Sequence, residues 1–203
     1  MMKTAGPLLT AIALLVCPLV APKAGATTSA ESAEQLRVAF FTAGFLAEIA
    51  SRIETARTEA ERLAGGYLEE KTELIWATRD NGADVDWYAA GDFCRDLEVA
   101  DWSDWRMPTI EELEGLHEPR SSGLYKLTSA IQLTACCPWS ETRSGDTSAW
   151  NFSFRYRKRF SGDLNYSYQL RALCVRPATA ADLLFYEEAA AAAKEAKKKK
   201  KKS

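Results

Sequence analysis

Residues 155–160 of this chain bring four cations and two aromatic rings together: Arg155, Tyr156, Arg157, Lys158, Arg159 and Phe160. An arginine fork of donors matches sulfate, phosphate or carboxylate oxygens. An aromatic ring offers a flat face on which a sugar can stack, and the loop tryptophan Trp139 adds another. Together these residues have the chemistry of a binder of anionic glycans or other polyanions. The competing reading is a solvated edge strand whose charges prevent pairing with other chains. The chain also ends in six consecutive lysines, Lys197 to Lys202. Such a run attracts any anion at long range, repels itself, and is expected to be disordered.

Other reactive side chains are few. His117 is the only histidine. It ends a short helix, where a cation suits the helix dipole, and no neighbouring acid or nucleophile completes a catalytic set. His117-Glu118-Pro119-Arg120 is similar to the EPN sugar–calcium motif of lectins but lacks the amide, and Trp150-Asn151-Phe152 lacks the acid of WND. No calcium sugar site is therefore expected. Asp80, Asp84 and Asp86 surround a turn, but Asp86 is better explained as a helix cap. Cys136 and Cys137 are adjacent. They can form a vicinal disulfide, bridge to another chain, or remain as thiols. No catalytic residue, metal, cofactor or specific nucleic-acid partner is implied, and the expectation is a protein that is not an enzyme.

The elements that must position these residues follow in order. Residues 1–26 read as a secretory signal peptide: Lys3, an apolar run from Leu8 to Val20, and an Ala24-Gly25-Ala26 cleavage site. The run is too short and proline-broken for a membrane span, so none is expected after cleavage. Val16 before Cys17 and Pro18 after it argue against a lipoprotein. Export implies an oxidising compartment, where cysteines pair. Residues 27–66 form a helical segment. Leu36, Ala39, Ala43, Leu46, Ala50, Ile53, Arg57, Ala60 and Ala64 repeat at heptad spacing, which permits a coiled coil and a homo-oligomer through residues 30–64. The competing reading packs this helix on its own domain.

Residues 67–177 carry the folded domain. Thr72 to Ala77 reads as a strand and Asp80-Asn81-Gly82 as a turn. Asp86 starts a helix whose Trp87, Ala90, Cys94 and Leu97 share a face. In Asp104-Trp105-Arg106-Met107-Pro108-Thr109-Ile110-Glu111-Glu112-Leu113, Pro108 enforces a turn and Thr109 with Glu112 spells a capping box. Trp105 is sized to anchor a core, and Arg106 to pair with an acid nearby. The chain then reads as loop from Glu118 to Gly145. Trp150 to Phe160 alternates as one half-buried strand, Ser161-Gly162-Asp163 turns it, and Leu164 to Arg176 returns as further strand. Residues 178–203 are an Ala-rich helix and the lysine tail. Residues 69–118 hold 15 acids and 4 bases, and residues 119–176 hold 3 acids and 9 bases, a split that predicts one acidic and one basic face.

The DWRMPTIEEL stretch resembles the DWRLPT-x-x-EL signature of the Lcl C-terminal-domain family, with Met107 for the usual Leu. Upstream, Leu74 to Ala77, Asp80 to Gly82, and Asp86-Trp87-Tyr88-Ala89-Ala90 with Cys94 are similar to the family's strand, turn and W-x-x-A…C helix. Downstream, Trp139-Ser140-Glu141-Thr142, Ala149-Trp150 and Cys174-Val175-Arg176 resemble its WSST, AW and CVR elements, with Glu141 and the Cys136-Cys137 pair as departures. The resemblance implies an α+β, C-type-lectin-like domain with two helices and antiparallel strands, here preceded by a long N-terminal helix. It points to a Cys94–Cys174 disulfide, the pair that a helix-face Cys94 and a terminal-strand Cys174 also suggest. Relatives include the tip of a collagen-like bacterial adhesin, similar to a trimeric glycosaminoglycan binder. The implied function is a non-enzymatic, exported envelope module of adhesin type. The alternatives are a structural or protein-interaction module, and an enzyme of the formylglycine-generating kind, whose fold is related.

Overall fold

A computed structural model describes residues 29–202 except 119, 122, 124 and 126; the expected signal peptide, with Cys17, lies outside the described residues. Two units are distinguished, one up to Ser51 and one from Arg52 onward. Helix α1, Ser29–Gly65, runs through a stretch rich in Ala, Glu and Leu, all strong helix formers. In the first unit it leaves Val38, Phe40, Phe41, Phe45, Leu46 and Ile49 exposed.

In the second unit α1 stops at Gly65-Gly66, where the backbone passes too close to its neighbours for a side chain. A Cβ on Gly65 would collide with Val99, and one on Gly66 would lie 2.6 Å from the Trp102 ring. Strand β1 (Gly66–Glu69) follows at once and pairs antiparallel with β2 (Leu74–Ala77). Helix α2 (Trp87–Arg95) starts at Asp86, whose carboxylate accepts the Ala89 N–H at 2.8 Å. Helix α3 (Ile110–Gly115) starts at Thr109 with both halves of the capping box in place. Strands β3 (Cys137–Gly145), β4 (Ser148–Ser153) and β5 (Lys158–Asp163) form an antiparallel meander, and short β6 (Leu170–Arg171) joins β3 in parallel. Strand β7 (Val175–Pro177) returns to pair with β2, and α4 (Ala180–Lys202) ends the chain. The sheets are therefore β1-β2-β7 and β5-β4-β3-β6. This is the expected α+β arrangement of helices and antiparallel strands, with the long helix ahead of the domain in the chain.

Two apolar clusters fill it. One gathers Trp102, Trp105, Met107 and Trp139 around Cys94 and Cys174, and the other gathers Trp76, Ile110, Leu113, Phe152 and Phe154 against α3. The Cys94 and Cys174 sulfurs are bonded, with Cα atoms 5.4 Å apart across 80 residues of chain. They tie α2 to the chain just before β7.

The DWRMPT stretch is the junction of these parts. Arg106 and Val175 exchange two backbone hydrogen bonds of 2.9 Å, joining the stretch to β7. The Arg106 guanidinium donates to both oxygens of Glu112, at 2.8 and 2.6 Å. The Pro108 carbonyl accepts the Glu141 N–H at 2.8 Å, and the Thr142 hydroxyl accepts the Ile110 N–H at 3.0 Å, so β3 docks on the same turn. The Trp87 indole N–H donates to the Ser140 carbonyl at 2.9 Å, adding α2. The signature turn, α2, β3 and β7 are thus tied together by hydrogen bonds that satisfy their polar groups.

Several local expectations are overturned. Trp150 to Phe160 is not one strand but the β4–β5 hairpin, with a turn over Phe154–Arg157. Alternation fails there because Asn151 and Ser153 are as buried as Phe152 and Phe154, so β4 is covered on both faces. Ser161-Gly162-Asp163, read as a turn, lies inside β5, where Gly162 lets the strand cross the Trp139 ring: a Cβ would sit 2.8 Å from it. Leu164 to Gln169 turns rather than extends, leaving only β6 and β7 as strands in that segment. The end of the stretch read as loop is β3, masked in sequence by Pro138 and by three consecutive buried residues, Pro138, Trp139 and Ser140. The lysine run is not disordered but completes α4. Five consecutive alanines, Ala189 to Ala193, favour the helix, and cations suit its C-terminal end.

The acidic and basic segments are not wholly separate, since three arginines of the second pair with acids of the first. The pairs are Arg159 with Glu114 and Glu111, Arg171 with Asp84 and Asp80, and Arg176 with Asp104. The fold lays residues 119–176 across residues 69–118, so Coulomb attraction is spent inside the domain.

Candidate ligand-binding site

The β4–β5 hairpin carries the basic cluster. Its turn is closed by the Arg157 N–H donating to the Ser153 carbonyl at 2.7 Å, with Arg157 at φ 54°. Phe154 anchors the turn from below, fully buried, edge-on to Phe152, and donating its N–H to the Cys136 carbonyl at 3.1 Å. Arg155, Tyr156 and Arg157 are therefore held out into solvent on a fixed support. Lys158 opens β5 beside them, also exposed. No carboxylate pairs with Arg155, Arg157 or Lys158 among the described residues. The Arg155 guanidinium lies 5.6 Å from the Tyr156 ring, and the Lys158 ammonium 5.1 Å from the Phe160 ring.

The remaining candidates sit elsewhere. Arg159 points away from the tip, donating to both oxygens of Glu114 at 2.9 and 2.6 Å. It joins β5 to α3 and is not available as an anion clamp. Trp139 is fully buried, with its indole N–H on the Val85 carbonyl at 3.0 Å, so it offers no face to a sugar. Its position at the crossing of β3 under Gly162 makes it a core residue. Cys136 and Cys137 are bonded to each other, and Cys137 is half-buried at the start of β3. His117 follows α3, half-buried.

The acidic turn is already occupied by the protein's own donors. The Asp80 carboxylate accepts the Gly82 N–H at 2.9 Å, the Thr134 N–H at 2.6 Å and the Thr134 hydroxyl. Asp84 pairs with Arg171, and its carboxyl is held below the usual range by that hydrogen bond. Among the described residues no three His, Cys, Asp or Glu side chains are arranged to hold a metal ion.

Beside the hairpin, a surface cleft of about 450 Å³ opens over β5 and the turn after it, with Tyr156, Phe160, Asp163 and Tyr166 on its walls. Asp163 and Tyr166 were not legible as site residues, because the stretch after Phe160 reads as turn and strand. Their signal is composition: Tyr166 and Tyr168 bring two aromatics to a polar segment.

A comparison with curated proteins gives no match. No helix among the described residues is long and apolar enough to cross a membrane. The model of the Lcl C-terminal domain matches residues 66–177, more than half of the chain. That span runs from β1 to β7 and takes in the capped turn, Trp105 of the signature and the Cys94–Cys174 bridge, so this chain belongs to the Lcl C-terminal domain family.

Proposed function

We propose that this chain is a non-enzymatic, exported protein of the cell envelope that binds an anionic glycan or similar polyanion at the tip of the β4–β5 hairpin. The observation that carries the reading is the set of three exposed cations, Arg155, Arg157 and Lys158, without carboxylate partners among the described residues. Arg159, Arg171 and Arg176 of the same segment pair instead with acids of the chain. A hairpin anchored by Phe154 pays little ordering entropy when a ligand binds, which favours selectivity. The lysines of α4 act differently. They raise the local concentration of any polyanion and choose among none. Export rests on the signal-like residues 1–26 and on the paired cysteines.

Self-association through α1 belongs to the same proposal. Phe40 and Phe41 are 76% and 79% exposed, and an apolar surface of that kind is stabilised by burial against a second copy. Several hairpin tips on one assembly would turn weak single contacts into avid binding to a polymer. The competing reading, a structural or protein-interaction module, draws on the same exposed helix. Binding of dextran sulfate to the parent chain and to an Arg155→Ser, Arg157→Ser, Lys158→Ser variant separates the two: the polyanion reading requires the variant to lose affinity and selectivity among polymers.

A further inference from the structure

We propose that the cleft beside the hairpin holds the ammonium end of a zwitterionic substituent on the bound glycan, of the phosphocholine class, while the hairpin cations hold its acid end. This rests on the glycan-binding reading above and adds a second, oppositely charged subsite to it.

The cleft walls are the rings of Tyr156, Phe160 and Tyr166 and the carboxylate of Asp163, with Cys137 and Leu170 also lining it. Among the described residues no lysine or arginine lines it. A sulfate or phosphate entering here meets the Asp163 carboxylate and the Tyr166 ring, and the cations near it, Arg155 and Lys158, lie at the rim over Tyr156 and Phe160. An ammonium meets attraction there, from the ring faces through their quadrupoles and from Asp163 through its charge. The chain's own cations display this preference on the rim, where Arg155 lies over Tyr156 and Lys158 over Phe160. Tyr166 holds no such cation among the described residues. Asp163 accepts hydrogen bonds from Asn165, N–H at 2.9 Å and side-chain amide at 3.2 Å, and no cation pairs with it there. Tyr156 and Tyr166 are 63% and 52% exposed, so their rings are open to a ligand.

A quaternary ammonium suits this lining better than a primary one. Its methyl groups spread the charge, lower the cost of leaving water, and pack on rings and on Leu170. The acid must lie close by, because Tyr156 stands between Arg155 and Arg157 in the chain. Tyr156 lines the cleft and has the Arg155 guanidinium 5.6 Å from its ring, so an acid joined to the ammonium by a short linker lies beside a hairpin cation. As the acid draws Arg155 and Lys158 toward itself, it frees the ring faces that they cover.

The test is titration calorimetry on the chain from residue 27 to 203 with phosphocholine, choline and inorganic phosphate, and with dextran sulfate as the polymer probe. Phosphocholine should bind more tightly than choline, and both more tightly than inorganic phosphate. Tyr166→Ala and Asp163→Asn should each weaken phosphocholine at least fivefold and leave dextran sulfate binding unchanged. Asp163→Asn keeps the acceptor for Asn165, and both positions are exposed, so the fold is retained. Inorganic phosphate binding as well as phosphocholine, or a Tyr166→Ala variant that binds phosphocholine normally, would overturn the proposal. Capture by phosphatidylcholine vesicles but not by soluble phosphocholine would also overturn it, as the source would then be a lipid surface. Phosphocholine binding that is sensitive to Tyr166→Ala, in a parent chain that ignores dextran sulfate, would uphold the cleft and remove the polyanion reading instead.

Discussion

Removing the Cys94–Cys174 bridge should cost this domain much of its stability. The perturbation is the double variant Cys94→Ala, Cys174→Ala. The bridge spans 80 residues. In the chain-entropy treatment, closing a loop of that length restricts the unfolded chain by about 15 cal/mol/K, or about 4.5 kcal/mol at 25 °C. Both cysteines are fully buried, so the lost sulfur contacts add to this. A small domain has only about 5–15 kcal/mol to lose. Urea unfolding followed by tryptophan fluorescence is the assay, since Trp102 and Trp105 lie in the same cluster as the bridge. The control is Cys136→Ala, Cys137→Ala, which removes a bond between neighbours and so releases little chain entropy. The expected result is a loss of about 4–6 kcal/mol for the first pair and under about 1 kcal/mol for the second. Equal, small losses for both pairs would refute the reasoning, because a bond closing a long loop would then stabilise no more than one closing none.

Further outcomes follow from the same contacts. Burial, with the Asp182 charge nearby, pushes the Tyr186 hydroxyl up to about 12, and that oxygen has no hydrogen-bond partner among the described residues. Tyr186→Phe should therefore stabilise the chain by about 1 kcal/mol near neutral pH. Because the folded value lies above the ordinary 10.0, stability is kept below pH 10 and lost as pH rises toward 12 in the parent; the variant should escape that loss in alkaline unfolding curves. Burial pushes the Glu112 carboxyl up, but hydrogen bonds from Arg106 and Thr109 outweigh it and hold the group below its ordinary 4.5. Its contribution is thus present above pH 4.5 and lost as pH falls below. Glu112→Gln should cost about 1–2 kcal/mol at pH 7, and the gap to the parent should narrow in acid unfolding curves. In sedimentation velocity, residues 27–203 should associate and residues 66–203 should remain monomeric; two monomers at high concentration would end the self-association reading.

The parts of the fold that were legible are those whose cause is local. Thr109 and Glu112 spell a cap because three residues bring them to the same helix end, and Asp86 likewise. Arg106 reads as an ion-pair partner near the core, but its acid, Glu112, is identified only by the fold. What was not legible depends on which distant surface covers a residue. Nothing in Trp139 itself says that β5 crosses it at Gly162, so an aromatic in an apparent loop passed for an exposed stacking ring. Arg159 and Arg155 look alike in sequence, yet Arg159 lies within reach of Glu114, 45 residues away, while Arg155 stands on the turn. The hairpin stayed hidden because the sequence alternation runs on through Phe154 and Tyr156, across the turn, although both faces of β4 are buried in the fold. The lysine run reads as disordered by its charge, whereas the five alanines before it set the helix.

The central claim is that the hairpin tip, and not the lysine-rich helix end, selects the ligand. Binding of a panel of sulfated, phosphorylated and carboxylated polysaccharides should be ranked for three chains: the parent, a chain ending at Ala196, and the Arg155→Ser, Arg157→Ser, Lys158→Ser variant. Exposed charge contacts contribute about 0.5–1 kcal/mol each, so losing three should weaken the preferred polymer by roughly 10- to 150-fold. Removing the lysines should slow association and flatten its salt dependence while keeping the order of the panel. The account predicts that the order survives truncation and disappears in the triple variant. It is contradicted if the triple variant keeps the parent's order and affinity, or if every polymer binds equally through the lysines alone.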